Sequence, residues 1–94
     1  MDLDVRRRQL GFRAWHRGTR EADILVGRFA ESYLPNASAD EVETFAALLD
    51  ENDPDIYDWV TGKTALPAEM PAPLQSLVRT FCDFVKGHGA AALS

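Results

Sequence analysis

The sequence predicts an all-α fold, a compact five-helix bundle that forms a single domain. Apolar residues recur at spacings of three and four, which is the period of amphipathic helices. Glycine and proline interrupt this pattern and leave segments of roughly 8 to 16 residues between them. No Asn-Gly or Asp-Gly pair marks a β-hairpin. With 94 residues, the chain is long enough for one domain, which we expect over residues 1–87, with a flexible tail over 88–94.

The first two predicted helices lie on either side of Gly18. A basic segment over about residues 3–16 comes first, and a second helix covers about residues 19–34. This second segment has the clearest helical pattern of the chain, with one apolar face formed by Ala22, Leu25, Val26, Phe29, Ala30 and Tyr33. Gly27 lies within it at a cost of about 1 kcal/mol relative to alanine. Gly27 therefore either allows the close approach of another helix or is merely tolerated at this position.

The third and fourth predicted helices begin at capping signals. Ser38 and Glu41 have the spacing of a capping box. In the next segment Asp53 is the predicted cap, Pro54 the first helical residue and Gly62 the stop. The buried stripes follow as Val42, Phe45, Ala46 and Leu49 in the third helix, and Ile56, Trp59 and Val60 in the fourth.

A fifth helix is predicted over about residues 72–86, after a proline-rich connection and before Gly87. Its apolar face contains Leu74, Leu77, Val78, Phe81 and Val85. We expect the packed interior of the bundle to be lined by Phe29, Phe45, Trp59, Phe81 and their aliphatic neighbours.

The charge is distributed unevenly along a chain whose net charge is -5. Residues 1–28 hold seven arginines and four acidic residues, a balance of +3, whereas residues 29–94 hold three basic and eleven acidic residues, a balance of -8. A basic region on an acidic body favours a polarised protein-binding surface. The overall acidity disfavours nucleic acid, since phosphate contacts supply most non-specific affinity. The alternative to a protein-binding function is a small regulator that binds nucleic acid through the arginine-rich first helix.

The spacing of the histidine, cysteine and acidic residues does not indicate a metal site or a catalytic site. The two histidines, His16 and His88, and the single Cys82 have no zinc-site spacing. The acidic stretch over residues 50–58 lacks the glycine and glutamate of a calcium loop and is better explained as helix capping and a solvated surface. We expect Cys82 to be a small core residue. No apolar run is long enough for a membrane span, and no secretory signal is present, so we expect a cytoplasmic protein that does not insert into membranes.

The stretch HRGTREADIL, residues 16–25, combines a turn with an unusual set of charges. Gly18 interrupts the helical pattern, Thr19 is a plausible N-cap, and Glu21 and Asp23 fall in the first turns of the next helix, where negative charge is favoured. Neither Arg17 nor Arg20 is explained in this way, because cations oppose the dipole at a helix N-terminus. The stretch is therefore either a helix start alone or a surface that another macromolecule contacts.

Two blocks of this sequence resemble the succinate dehydrogenase assembly factor 2 family, called SdhE in bacteria. Arg17-Gly18-x-x-Glu21 matches the RGxxE signature of that family, preceded by an arginine-rich helix with an aromatic residue and followed by Asp23-Ile24-Leu25. The segment Asp53-Pro54-Asp55-Ile56-Tyr57-Asp58-Trp59 matches the second block of the family. The resemblance covers about residues 6–62, and the two blocks together are far more specific than RGxxE alone.

The resemblance implies an assembly chaperone that is not itself an enzyme. Family members bind the flavoprotein subunit of succinate dehydrogenase, and in some bacteria that of fumarate reductase, and promote covalent attachment of FAD to a histidine of that partner. The resemblance gives no reason to expect tightly bound FAD in this chain. We expect the free protein to be a monomer.

The resemblance also assigns residues to the contact with the partner. Arg17, Gly18 and Glu21 are expected to lie unburied at the contact surface, where Gly18 permits close backbone approach and Arg17 offers its guanidinium to the partner. The further candidates are Arg7, Arg8, Asp23, Tyr57 and Asp58. Trp59 belongs to the second block but is expected in the core.

Overall fold

Five α-helices make up most of residues 2–88, the part of the chain that this computed structural model describes. They are α1 (Leu3–Ala14), α2 (Arg20–Tyr33), α3 (Ala39–Leu49), α4 (Asp53–Val60) and α5 (Ala72–His88), with a short 3₁₀ turn (Leu34–Asn36) after α2. Residues 2–88 contain no β-strand. The predicted all-α fold of five helices is therefore confirmed.

Polar side chains cap the N-termini of α2 and α3 as predicted. Thr19 Oγ1 accepts a hydrogen bond from the N–H of Ala22 at the start of α2. At α3 the capping box is complete, because Ser38 Oγ accepts from the N–H of Glu41 at 3.2 Å and Glu41 Oε1 accepts from the N–H of Ser38 at 2.8 Å.

The cap of α4 differs from the prediction by one residue. Asn52, not Asp53, is the N-cap, and its side-chain oxygen accepts from the N–H of Asp55 at 2.9 Å. Asn and Asp are about equally good caps, so the sequence alone does not separate them. With the cap at Asn52, the carboxylate of Asp53 is available for a tertiary contact with Arg17.

The end of α5 also differs from the prediction, because the helix continues through Gly87 to His88. Glycine ends a helix readily only where its φ is positive, and Gly87 is not such a residue. His88 is thus the last residue of α5, and its ring packs on Phe84 with centroids 4.1 Å apart and planes inclined by 31°. The rest of the predicted flexible tail, residues 89–94, lies outside the described residues.

A cluster of aromatic rings forms the centre of the core. Phe29 stacks on Phe81 at a centroid distance of 4.1 Å and lies 6.1 Å from Phe45. These three rings and Trp59 are buried, as predicted. Leu48 is buried as well, although the predicted stripe of α3 did not include it.

The helices pack so that the connection between α1 and α2 lies beside the connection between α3 and α4. Helix α1 packs against both α2 and α3, and α5 packs against α3 and α4. Across residues 2–88, no helix combines the length and apolarity that crossing a membrane requires.

Candidate protein-binding site

The connection between α1 and α2 is a tight turn at an exposed glycine. Gly18 has φ +122°, a conformation that residues with a side chain rarely adopt. A Cβ built on Gly18 would meet no atom within 4 Å. The glycine is therefore required by the backbone of the turn, and the space beside it is open to solvent or to a partner.

Arg17 lies on the inner side of this turn, so the expectation that its side chain is unburied was wrong. Only 11% of that side chain is exposed. Its guanidinium donates to the backbone carbonyls of Leu49 and Glu51, the latter at 2.6 Å, and Nε donates to Asp53 Oδ1 at 2.8 Å. The physical reason is that the end of α3 presents free carbonyl groups, which the planar guanidinium can bind together with a carboxylate.

Asp23 holds the backbone of the turn from the other side. Its Oδ1 accepts from the N–H groups of both Arg17 and Gly18, the latter at 3.1 Å. Asp23 had been predicted as a partner-binding residue, and the structure gives its carboxylate this internal role. Together Arg17 and Asp23 fix the position of the turn relative to α2 and to the α3–α4 connection.

Trp15 supports the turn by packing on Gly27. A Cβ at Gly27 would overlap the Trp15 ring. The sequence had left open whether Gly27 marks a close approach or is merely tolerated, and the structure shows a close approach by a side chain of the α1–α2 connection.

The outer side of the turn carries exposed polar groups. Thr19, Arg20 and Glu21 are exposed, and an open depression of about 540 Å³ beside them is lined by Trp15, His16, Gly18, Thr19, Arg20, Asp23 and Ile24. Glu21 therefore lies unburied, as predicted. Arg17 pairs with Asp53 and not with Glu21, although those two residues are four apart in sequence.

Most arginines of the basic N-terminal region are paired with acidic groups of the bundle. Arg6 binds Glu43 through two hydrogen bonds of 3.0 Å, which lower the pKa of the Glu43 carboxyl. Arg13 lies 3.3 Å from Asp50. These pairs, together with Arg17–Asp53, neutralise much of the predicted basic surface and weaken the alternative of a phosphate-binding first helix.

The remaining predicted contact residues of α1 differ in accessibility. Arg7 is largely engaged within the chain, because it pairs with Asp4 at 2.9 Å and donates to the carbonyl of Ala37 at 2.6 Å. Arg8 is exposed. Of the two, Arg8 is the one available to a partner.

The second predicted block places Tyr57 and Asp58 on α4. Tyr57 is 41% exposed, and Asp58 is half-buried. The carbonyl of Asp58 accepts from the N–H groups of Lys63 and Thr64, so this residue also shapes the chain after α4. Their contact with a partner stays a prediction.

Sequence reasoning gave too little weight to Phe12 and His16. Phe12 is 65% exposed, and its ring stacks on His16 with centroids 3.9 Å apart. Both residues fall on the outer face of α1 or directly after it. The signal in the sequence was an aromatic residue four positions from both Arg8 and His16, outside the apolar stripe that contains Leu10 and Ala14.

Cys82 is half-buried, as predicted, and its thiol donates to the carbonyl of Trp59 at 3.2 Å. Burial raises the pKa of this thiol, so Cys82 stays protonated and is a poor nucleophile at neutral pH. Among the described residues, no group of three or more His, Cys, Asp or Glu side chains could hold a metal ion.

The site is thus an exposed turn that is held from within, on a small helical bundle. Comparison with known families then shows to which family the chain belongs. A family model described as "Flavinator of succinate dehydrogenase" matches residues 8–84, and the chain belongs to this family.

Named relatives agree with this assignment. The chain is 42% identical over 73 residues to the FAD assembly factor SdhE of Acetobacter pasteurianus, which covers 78% of this chain and 67% of that protein. It is 48% identical over 56 residues to the mitochondrial succinate dehydrogenase assembly factor 2 of Komagataella phaffii, covering 60% of this chain and 30% of that protein. The chain thus spans about two thirds of the bacterial relative and less than a third of the yeast one. The family consists of assembly factors and not of catalytic enzymes, which confirms the resemblance seen in the sequence.

Proposed function

We propose that this protein binds the immature flavoprotein subunit of succinate dehydrogenase and promotes the covalent attachment of FAD to it. In organisms with fumarate reductase, the flavoprotein subunit of that enzyme is a second candidate partner. The protein acts as a monomer in the cytoplasm and holds no FAD tightly itself. Membership in the family of flavinators supports this proposal.

The observation that carries the proposal is the division of roles within the RGxxE motif. Arg17 faces inward and ties the turn to Leu49, Glu51 and Asp53. Gly18 and Glu21 face outward and are exposed. A rigid turn that presents a glycine and a carboxylate to solvent suits close contact with a partner, because little conformational entropy is lost on binding.

In this proposal the chemistry takes place on the partner. Gly18 lets the partner's backbone approach the turn, and the Glu21 carboxylate accepts hydrogen bonds from the partner or pairs with one of its cations. By binding one conformation of the flavoprotein better than the others, the chain raises the population in which the partner's own groups hold the flavin in reactive geometry.

The test is co-expression of the chain with a flavoprotein subunit, followed by detection of covalent flavin through fluorescence of the denatured subunit in a gel. Glu21→Gln should lower the flavinylation rate and the affinity about tenfold, which corresponds to about 1.4 kcal/mol of binding free energy. Glu31→Gln is the matched control, because Glu31 is an exposed glutamate on the same helix. Equal flavinylation with and without the unaltered chain would contradict the proposed function.

The role of Gly18 in binding can be tested by comparison with a second glycine of positive φ. Gly62 also has a positive φ, +79°, and open space where a Cβ would lie. Alanine at either position introduces backbone strain of about 1–3 kcal/mol. Gly18→Ala should also weaken flavoprotein binding, whereas Gly62→Ala should not; equal binding by both variants would mean that Gly18 serves only the fold.

A further inference from the structure

Phe12 is an apolar side chain that the fold does not bury. It lies on the outer face of α1 and is 65% exposed, more than Tyr57 at 41%, the other large exposed apolar residue among those described. Leu10 and Ala14, on the inner face of the same helix, are fully buried. Phe12 therefore adds little to the core, and exposing its ring to water is unfavourable in the free protein.

His16 holds the Phe12 ring in one orientation. The two rings stack with centroids 3.9 Å apart and planes inclined by 18°. His16 Nδ1 lies 2.6 Å from the carbonyl oxygen of Phe12, so Nδ1 carries the hydrogen and donates. This hydrogen bond ties the His16 ring to the last turn of α1, beside the Phe12 ring.

The surroundings of Phe12 are basic. An open depression of about 510 Å³ around the ring is lined by Arg6, Arg8, Gln9, Phe12 and Arg13, with no acidic residue among them. Acidic partners of Arg6 and Arg13, which are Glu43 and Asp50, offset part of this charge. Arg8 is exposed one helical turn from Phe12 and contributes positive charge beside the ring.

This face is continuous with the Gly18 turn. His16 contacts Phe12 on one side and lines the depression that contains Gly18 and Arg20 on the other. A partner that covers the turn therefore meets the Phe12 ring as well.

We propose that Phe12 is the apolar anchor of the contact with the flavoprotein subunit, and that it enters an apolar pocket with an acidic rim on that partner. His16 is a positioning residue for this anchor, and Arg8 is the cation that the acidic rim attracts. This inference rests on the proposed function and adds to it the chemistry of the partner's surface.

Two physical arguments support an anchor role. A few aromatic and arginine residues usually contribute most of the binding free energy of an interface. A ring that is already held in its bound orientation loses less side-chain entropy on association. The exposed Arg8 beside the ring favours an acidic partner surface, which would increase the association rate at low salt.

The anchor is tested by binding kinetics between the purified chain and a flavoprotein subunit that lacks covalent FAD. Phe12→Ala should raise Kd at least about tenfold, mainly through a faster dissociation rate, and Phe12→Leu should raise it less. The thermal midpoint should hardly change, since the ring is exposed. If Phe12→Ala binds like the unaltered chain while Glu21→Gln binds more weakly, Phe12 is not the anchor, and the proposed function stands. If the unaltered chain does not bind, both proposals fail.

The charge and positioning roles are tested separately. Arg8→Glu should slow association several-fold and reduce its dependence on salt, whereas Arg79→Glu, at an exposed arginine on α5, should do neither. His16→Ala should raise Kd less than Phe12→Ala and let the Phe12 ring sample several rotamers, which its NMR chemical shifts would report. Retention of a single Phe12 rotamer in His16→Ala would contradict the role of His16 as a positioning residue. Identical effects of Arg8→Glu and Arg79→Glu would contradict the proposal that the partner's pocket has an acidic rim.

Discussion

The guanidinium of Arg17 and the carboxylate of Asp53 form an ion pair, Nε to Oδ1 2.8 Å, that joins the turn before α2 to the first residue of α4. The two residues belong to the two blocks of sequence that carry the family resemblance. Their pairing joins the two blocks in the folded chain and is one of the contacts that fix the Gly18 turn.

Arg17→Ala should destabilise the protein on the order of 2–3 kcal/mol, because it removes hydrogen bonds from a charged group to two carbonyls and a carboxylate. Urea unfolding measures this loss. Arg17→Lys should recover only part of it, because an ammonium group cannot reach all three acceptors with the geometry of a guanidinium. Arg79→Ala, at an exposed arginine, is the control and should stay within about 0.5 kcal/mol of the unaltered chain. A loss of binding by Arg17→Ala with full stability would contradict the internal role.

Asp23→Ala should loosen the turn, because the N–H groups of Arg17 and Gly18 lose their shared acceptor. We expect a loss of about 1–3 kcal/mol and faster hydrogen exchange of the Gly18 amide. Asp23→Asn keeps a side-chain oxygen in place, so the Gly18 amide should exchange more slowly in this variant than in Asp23→Ala. Exchange of the Gly18 amide in Asp23→Ala as slow as in the unaltered chain would show that the carboxylate does not hold the turn.

Alanine should have opposite effects at two helical glycines. A Cβ at Gly27 overlaps the Trp15 ring, so Gly27→Ala should destabilise by about 1–3 kcal/mol through overpacking. A Cβ at Gly11 meets nothing within 4 Å, so Gly11→Ala should stabilise by up to about 1 kcal/mol through its helix propensity. Chemical denaturation of both variants checks the signs. A stabilising Gly27→Ala would mean that Trp15 moves aside at little cost.

Stability should fall in alkaline solution because two acidic groups are partly buried. Burial raises the pKa of the Cys82 thiol above its ordinary value of 9.0 and that of the Tyr33 phenol above 10.0, with Glu41 adding to the second effect. The unfolded chain therefore loses these protons first, so the contribution of these two groups to the free energy of unfolding is constant below about pH 9 and decreases as the pH rises through the folded values. Urea unfolding at several pH values measures the slope. Cys82→Ala should reduce it between pH 9 and 10, and an unchanged slope would show that another group is responsible.

Features that depend on neighbouring residues were predicted well. The Thr19 cap and the Ser38–Glu41 capping box involve atoms three residues apart, and both formed as expected. The choice between Asn52 and Asp53 failed because local preference is nearly equal for the two, and the distant Arg17 takes up the carboxylate of Asp53.

The turn at Gly18 formed where the sequence predicted it, but the direction of the Arg17 side chain was not predicted. Arg17 was expected to face a partner, yet its acceptors lie 32 to 36 residues further along the chain. Phe12 received little weight, because an apolar residue on a helix is usually buried and nothing nearby in sequence shows which face the bundle covers.

By itself the sequence determined where α2 and α3 begin, most of the residues that the helices bury and the turn at Gly18, because caps, periodicity and the requirement of Gly18 for positive φ are local properties. Only the tertiary structure decided that Arg17 turns inward, that Trp15 covers Gly27 and that Phe12 stays exposed. Those outcomes depend on which helices meet, and that is set by the combined packing of segments far apart in the chain.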